Sequence, residues 1–205
     1  MLAYHGTCIG NIKELIPFSK SHNTIKKSVI YLTPNATFAL FYIWNRSYKW
    51  VSFVVDDNDI VVFTEHYKNH LKEFYENISG YIYTCDGNHP FIYKTHIKSV
   101  YNSEIPVPII GCQEIPDVYY EIREREKTGK VRIKTYELLT NNEKDEIFSN
   151  TVRAIHMEKL LGASDYNLGD KIDFIKQKFP EAWYTAIHNT KDEIENMINE
   201  WKNSI

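Results

Sequence analysis

Short runs of β-branched and aromatic residues, separated by polar turns, occupy the first half of the chain and predict strands. The predicted strands cover residues 1–5, 28–31, 50–55, 60–63, 80–85, 91–93 and 97–101, with an edge strand or extended segment over residues 105–110. The acidic turn at residues 56–59 should join two of them into a hairpin. A brief helix or turn is expected at residues 11–16 and a helix at residues 65–75, so this half is predicted to be mixed and rich in strands.

Helical periodicity dominates after residue 111. Ile115, Val118, Tyr119 and Ile122 form a stripe at helical spacing, and Gly129 should end that helix. A short strand is expected at residues 131–133, followed by helices at about 140–161, 171–179 and 190–201, two of which begin with the capping-box pattern Thr-x-x-Glu. We therefore predict an α+β protein with an α+β core over residues 1–110 and a mostly helical region, residues 111–205, packed on it.

Composition narrows the class of protein. The chain has 205 residues, of which 43% are hydrophobic, and this is enough to bury a sizeable core. The net charge of −3 argues against a nucleic-acid partner. The local group of Lys20, Lys26 and Lys27 is the feature that favours one. No apolar run approaches the length of a membrane span, and no partner in the membrane is expected. Three cysteines without paired spacing and no leader-like segment predict a cytoplasmic protein.

Two tyrosines bracket the segment that carries the candidate chemistry. Tyr31 should end a strand, because Pro34 and Asn35 follow it as a turn and a helix start. Tyr42 lies at helical spacing beyond that start, beside Phe38. Two aromatic rings at a strand end and on the next helix would hold a flat ligand between them. The alternative is that both are ordinary core aromatics.

The order of these residues resembles a known family. Tyr4-His5-Gly6-Thr7, followed by Tyr31-x-Thr33-x-Asn35-x-x-x-Ala39-x-x-Tyr42, resembles the ADP-ribosyltransferase fold of diphtheria toxin and the poly-ADP-ribose polymerases. The resemblance covers residues 2–45 well and residues 46–110 in outline. It implies a core with a split mixed β-sheet, NAD as substrate, and transfer of ADP-ribose to an acceptor that the sequence does not identify.

The resemblance also implies roles for individual residues. His5 would hydrogen-bond a ribose hydroxyl, and the backbone of Gly6 would meet the nicotinamide carboxamide, with Thr7 beside it. Tyr31 and Tyr42 would stack on the nicotinamide ring, and Thr33 would add a hydroxyl contact. These residues form the predicted NAD site, in which His5, Tyr31 and a glutamate are the catalytic group.

Three glutamates are candidates for the catalytic carboxylate. Glu104 at the start of a late strand is the preferred match, and it would accept from the ribose 2′-hydroxyl and stabilise the developing positive charge. Pro106 and Pro108 follow it closely, which is unusual for a paired strand. Glu114 and Glu65 are the other candidates.

Two alternatives to an NAD-cleaving enzyme can be compared with it. The chain would be an inactive protein of the same fold, acting as a nucleotide-binding or interaction module, if the carboxylate is missing from the site. A metal site at His66 and His70 is disfavoured, because no third ligand and no His-Glu-x-x-His order accompanies them.

Overall fold

The computed structural model describes residues 1–20, 28–90, 92–161 and 168–203, which form an α+β protein. Its contacts divide the chain into two compact units, Met1–Asn45 with Val51–Thr135, and Arg46–Trp50 with Tyr136–Ile205. The strands are β1 (Leu2–Thr7), β2 (Glu14–Leu15), β3 (Ser19–Lys20), β4 (Ser28–Leu32), β5 (Ser52–Val55), β6 (Val61–Thr64), β7 (Gly80–Asp86), β8 (Ile92–Lys94), β9 (Tyr101–Ser103), β10 (Val107–Ile115) and β11 (Val131–Lys134). The helices are α1 (Ala36–Leu40), α2 (His70–Tyr75), α3 (Val118–Lys127), α4 (Asn141–Met157), α5 (Gly169–Lys178), α6 (Pro180–His188) and α7 (Lys191–Asn203).

Two four-stranded sheets form the first unit's main framework. One has the order β1-β7-β10-β2 and the other β3-β4-β9-β8, with antiparallel pairing throughout. Side chains from both sheets share one buried cluster, which contains Ala3, Leu15, Ile30, Leu32, Tyr83, Cys85, Tyr101 and Val107. Burial of these apolar groups fixes which face of β4 and β9 points inward.

A smaller sheet completes this unit. Strands β5 and β6 form an antiparallel hairpin, and β11 adds to β6 in parallel. Helix α3 precedes β11 and ends at Gly129, whose φ of 73° is the left-handed conformation that glycine adopts readily. The first unit therefore includes residues well beyond the sheets that carry the predicted site.

Helices α4 to α7 make up most of the second unit. Residues 46–50 belong to it, because Trp50 packs against Phe174 and Phe179 at ring-centre distances of 6.1 Å and 5.7 Å. Thr140 caps α4 in a reciprocal capping box with Glu143. None of the helices in the described part of the chain is long and apolar enough to cross a membrane.

Several sequence predictions are confirmed. The α+β class, the hairpin around residues 56–59, the strand near residues 131–133 and the capped helix from residue 140 are all present. At residues 190–193, Glu193 accepts hydrogen bonds from the backbone N–H and the hydroxyl of Thr190, as a capping box requires.

Other predictions are wrong in detail. Residues 11–16 contain the short strand β2 rather than the expected helix or turn, and the predicted helix at 65–75 begins only at His70. The strand predicted at 97–101 overlaps β9 at Tyr101 alone. The strand predicted at 91–93 is present as β8, and its first residue lies outside the described residues. Pro180, expected only as a helix end, opens α6.

The segment predicted as an edge strand at 105–110 is also different. It belongs to the longer strand β10, which pairs with β7 on one side and β2 on the other. Pro106 lies before the strand, and Pro108 is opposite Glu14 of the short β2. The first compact unit ends at Thr135, whereas the sequence placed a boundary after residue 110, inside β10.

Candidate functional site

The two motif segments meet where β1 passes the end of β4. Tyr4 and Thr33 form an isolated antiparallel bridge with N···O distances of 2.7 Å and 3.0 Å. One residue on, the His5 side chain reaches across, and its Nδ1 lies 2.9 Å from the backbone oxygen of Tyr31. Residues 26 positions apart in sequence are thereby held together, as the NAD-site prediction requires of His5 and Tyr31.

The hydrogen bond to Tyr31 shows which ring nitrogen of His5 carries the hydrogen. A carbonyl oxygen only accepts, so Nδ1 carries the hydrogen and donates it. Burial lowers the pKa of His5, and the hydrogen bond to the Tyr31 carbonyl opposes that effect only in part. At neutral pH the imidazole is therefore uncharged, and its Nε2 is left as an acceptor for a hydroxyl group.

Gly6 is constrained on two sides. The backbone groups of Tyr4 point away from β7, and because strand backbones alternate, the N–H and C=O of Gly6 point to the same edge. Helix α1 crosses close by, and a Cβ on Gly6 would lie only 1.9 Å from the Ala39 carbonyl oxygen. Glycine is thus needed for helix packing here, and its backbone faces the edge at which His5 meets Tyr31.

Thr7 helps to turn the chain out of β1. Its hydroxyl oxygen accepts a hydrogen bond from the Ile9 N–H at 3.2 Å. The loop is then fixed to β7, because the Tyr83 hydroxyl donates to the Ile9 carbonyl and accepts from the Ile12 N–H, both at 3.1 Å. The Thr7 hydroxyl is therefore engaged in local structure next to the predicted site.

Tyr31 and Tyr42 are both half-buried and lie within electrostatic reach of each other. Burial raises the pKa of Tyr42 to about 12, and the negative charge on an ionised Tyr31 adds to that rise. Tyr42 lies in a turn just after α1 rather than on the helix. Its ring packs in an aromatic group, at centroid distances of 5.4 Å from Phe38, 5.9 Å from Trp44 and 5.2 Å from Phe53.

The link between the two tyrosines is a capped helix start. The Asn35 side-chain oxygen accepts from the backbone N–H of Thr37 at 2.8 Å and of Phe38 at 3.0 Å. The Asn35 amide donates to the backbone and side-chain oxygens of Asp59, at 3.0 Å and 3.1 Å. Thr33 is buried, and its hydroxyl accepts from the Asn35 N–H at 3.1 Å, so its role here is to shape this turn.

The three candidate glutamates have different surroundings. Glu104 is exposed in a bend directly after β9, two residues beyond Asn102, which pairs with Tyr31. Glu114 is exposed on β10 opposite Tyr81, in the other sheet. Glu65 is buried, and its carboxylate accepts from the Leu71 N–H at 3.1 Å near the start of α2. Glu104 is the one of the three that follows a strand paired with β4.

The pairing of β9 adds two residues that the sequence did not indicate. Asn102 is opposite Tyr31 on β4 and opposite Tyr93 on β8. Directly paired residues share a sheet face, so these three side chains stand side by side. Only the pairing of strands far apart in sequence places Tyr93 in this group, and no local pattern would have found it.

Other candidate chemistry receives little support. His70 accepts from the His66 N–H through Nδ1 at 3.1 Å, and burial lowers the pKa of His66 to about 4. No group of three or more His, Cys, Asp or Glu side chains within the described residues is arranged to hold a metal ion. Lys26 and Lys27 lie outside the described residues.

Comparisons with known proteins give no relative. A scan against protein-family models, a search of curated proteins and a search of solved structures each returned no match. The resemblance to ADP-ribosyltransferases therefore stays a prediction from the sequence motifs.

Proposed function

We propose that this chain is an ADP-ribosyltransferase-like enzyme that cleaves NAD at the bond between nicotinamide and ribose and transfers the ADP-ribose. The observation that carries the proposal is the 2.9 Å hydrogen bond between His5 Nδ1 and the Tyr31 carbonyl. It joins the two halves of the motif, and it leaves a neutral Nε2 to accept from a ribose hydroxyl. The backbone of Gly6 points to the same edge, which suits the nicotinamide carboxamide.

The reaction develops positive charge on the ribose as the nicotinamide leaves. A carboxylate that meets this charge stabilises the transition state more than the ground state, and so accelerates the step. Glu104 is the proposed carboxylate, since it follows the strand paired with Tyr31. Tyr31 and Tyr42 hold the ring, which fixes the bond to be broken in one orientation.

Glu104→Gln tests this assignment. We expect nicotinamide release from NAD to fall by about 10²- to 10³-fold, in line with the loss of one preorganised electrostatic group, while NAD still binds. Glu114→Gln is the matched control, because Glu114 is likewise an exposed glutamate but lies in the other sheet, and it should keep wild-type turnover. Equal activity of the Glu104→Gln variant and the wild type would remove Glu104 from the role.

A second candidate function is a nucleotide-binding or interaction module without catalysis. The exposure of Glu104 favours it, because a solvated carboxylate interacts less strongly with a developing charge. The two functions differ in one measurement. A module would bind NAD or nicotinamide, for example in ligand-observed NMR, but release no nicotinamide over long incubation.

A further inference from the structure

Three side chains cross the outer face of the β3-β4-β9-β8 sheet in a single row. Asn102 lies between Tyr31 and Tyr93 in the strand register. The neighbouring positions face the other way, since Ile30, Leu32 and Tyr101 belong to the buried cluster. Strands are spaced about 4.8 Å apart, which places Tyr93 roughly 10 Å from Tyr31 across the row.

The outer end of the row is open to solvent. Tyr93 is 54% exposed on β8, the last strand of its sheet. Asn102 is partly buried beside it and offers a carboxamide, which both donates and accepts hydrogen bonds. An exposed ring next to an amide forms a surface for a flat group that carries hydrogen-bonding edges.

The direction of the transfer reaction gives this surface a role. An acceptor attacks the ribose on the side opposite the leaving group when the two bond changes are in line. In the proposed function the leaving nicotinamide is held at Tyr31 on β4, and the carboxylate of Glu104 follows β9. The next strand across is β8, so the acceptor would approach from the side of Tyr93.

We propose that Tyr93 and Asn102 form the acceptor subsite and that the acceptor is a base in single-stranded nucleic acid. This inference rests on the proposed function. A nitrogen of the base bonds to ribose C1′, and the bond from C1′ to the nicotinamide nitrogen breaks. The electron pair of that bond returns to the pyridine ring, so nicotinamide leaves uncharged. The proton of the attacking nitrogen passes to Glu104 and then to water.

The chemistry of the row favours a base over a protein side chain. Bases stack on exposed aromatic rings whatever their sequence, and an asparagine amide matches the N6 and N7 edge of adenine. The whole-chain charge of −3 does not oppose this, because acidic and basic residues balance in the first unit and the acidic excess lies in the second.

The test uses the full chain, labelled NAD and a short single-stranded oligonucleotide of mixed sequence. The readout is the ratio of oligonucleotide-linked to free ADP-ribose. We expect Tyr93→Ala to lower this ratio at least tenfold and Asn102→Ala to weaken the preference for adenine. Tyr120→Ala is the control, because Tyr120 is similarly exposed, at 69%, but lies on α3. It should leave the ratio unchanged.

Fluorescence anisotropy of the same oligonucleotide provides a measurement that does not require turnover. Tyr93→Ala should weaken binding about tenfold relative to the wild type and to Tyr120→Ala, and equal binding by all three would overturn the subsite. If nicotinamide is released but the label appears only on protein, the nucleic-acid acceptor is wrong and the proposed function stands. If no nicotinamide is released, the proposed function fails, and the anisotropy result alone decides whether the row binds a base.

Discussion

Replacing Asn35 by alanine should loosen the connection between the two site tyrosines. Its side chain makes four hydrogen bonds, two that cap α1 and two that hold Asp59 in the β5–β6 hairpin, and only 8% of the residue is exposed. Loss of a helix cap costs about 1 kcal/mol, and each further buried hydrogen bond contributes about 1 kcal/mol. We therefore expect the free energy of unfolding to fall by about 2–4 kcal/mol.

Asn35→Ser separates the two contributions. Serine still caps the helix, but its side chain is too short to reach Asp59 as well, so it should lose about two-thirds as much stability as alanine. Urea unfolding followed by circular dichroism gives the ranking of the three proteins. Hydrogen exchange at Phe38 and Ala39, whose amides belong to α1, shows whether the loss is local.

Thr140→Ala is the control for these variants. It removes the cap of α4 in the other unit, should cost about 1 kcal/mol, and should not affect exchange in α1. The reasoning is refuted if Asn35→Ala stays within about 0.5 kcal/mol of the wild type, the usual range of surface substitutions. It is also refuted if the serine and alanine variants are equally unstable, since the cap would then contribute nothing.

Two further predictions concern the folded state. Burial lowers the pKa of His66 to about 4, so the folded protein favours the neutral imidazole. In the unfolded chain the pKa is about 6.5, so the free energy of unfolding should fall as the pH drops from about 6.5 towards 4. The stability difference between wild type and His66→Gln should change by about 2 kcal/mol between about pH 7.5 and pH 5 in urea titrations, and parallel curves would contradict this. Gly6→Ala should cost about 3 kcal/mol, because the added Cβ would lie 1.9 Å from a backbone oxygen of α1. Gly111→Ala, in the same sheet, is the control: its added Cβ has no neighbouring atom nearer than 3.5 Å, so the variant should keep the stability of the wild type. If Gly6→Ala were no less stable than Gly111→Ala, helix α1 would be able to move away from the added Cβ at little cost.

The sequence was informative where the signal is local. A strand end close to Tyr31, the Asn35 cap and the capping boxes each depend on neighbours a few residues apart, and all are present in the structure, with β4 ending one residue later at Leu32. Pro180 was misread for a local reason as well. Proline ends a helix that precedes it, but it also suits the first position of a new helix, and here it does both.

Strand pairing was beyond the sequence. The row from Tyr31 through Asn102 to Tyr93 joins three separate strands, and a shift of one residue would have placed Asn102 on the other face. The sequence leaves the choice among the three glutamates open for the same reason, because the spacing of residues does not show which strand pairs with β4. Residues 11–16 suggest a helix or turn from the sequence, yet Leu15 is buried opposite Val107 in a sheet, so tertiary packing overrides local preference.

The position of residues 46–50 in the second unit affects how the chain folds during synthesis. These residues leave the ribosome early, but the aromatic partners Phe174 on α5 and Phe179 just before α6 follow only after more than a hundred further residues have been made. The second unit therefore cannot complete its core during synthesis until that late segment returns to meet Trp50. A fragment that begins at Tyr136 would expose Phe174 and Phe179 to water, and should be prone to aggregation when expressed alone.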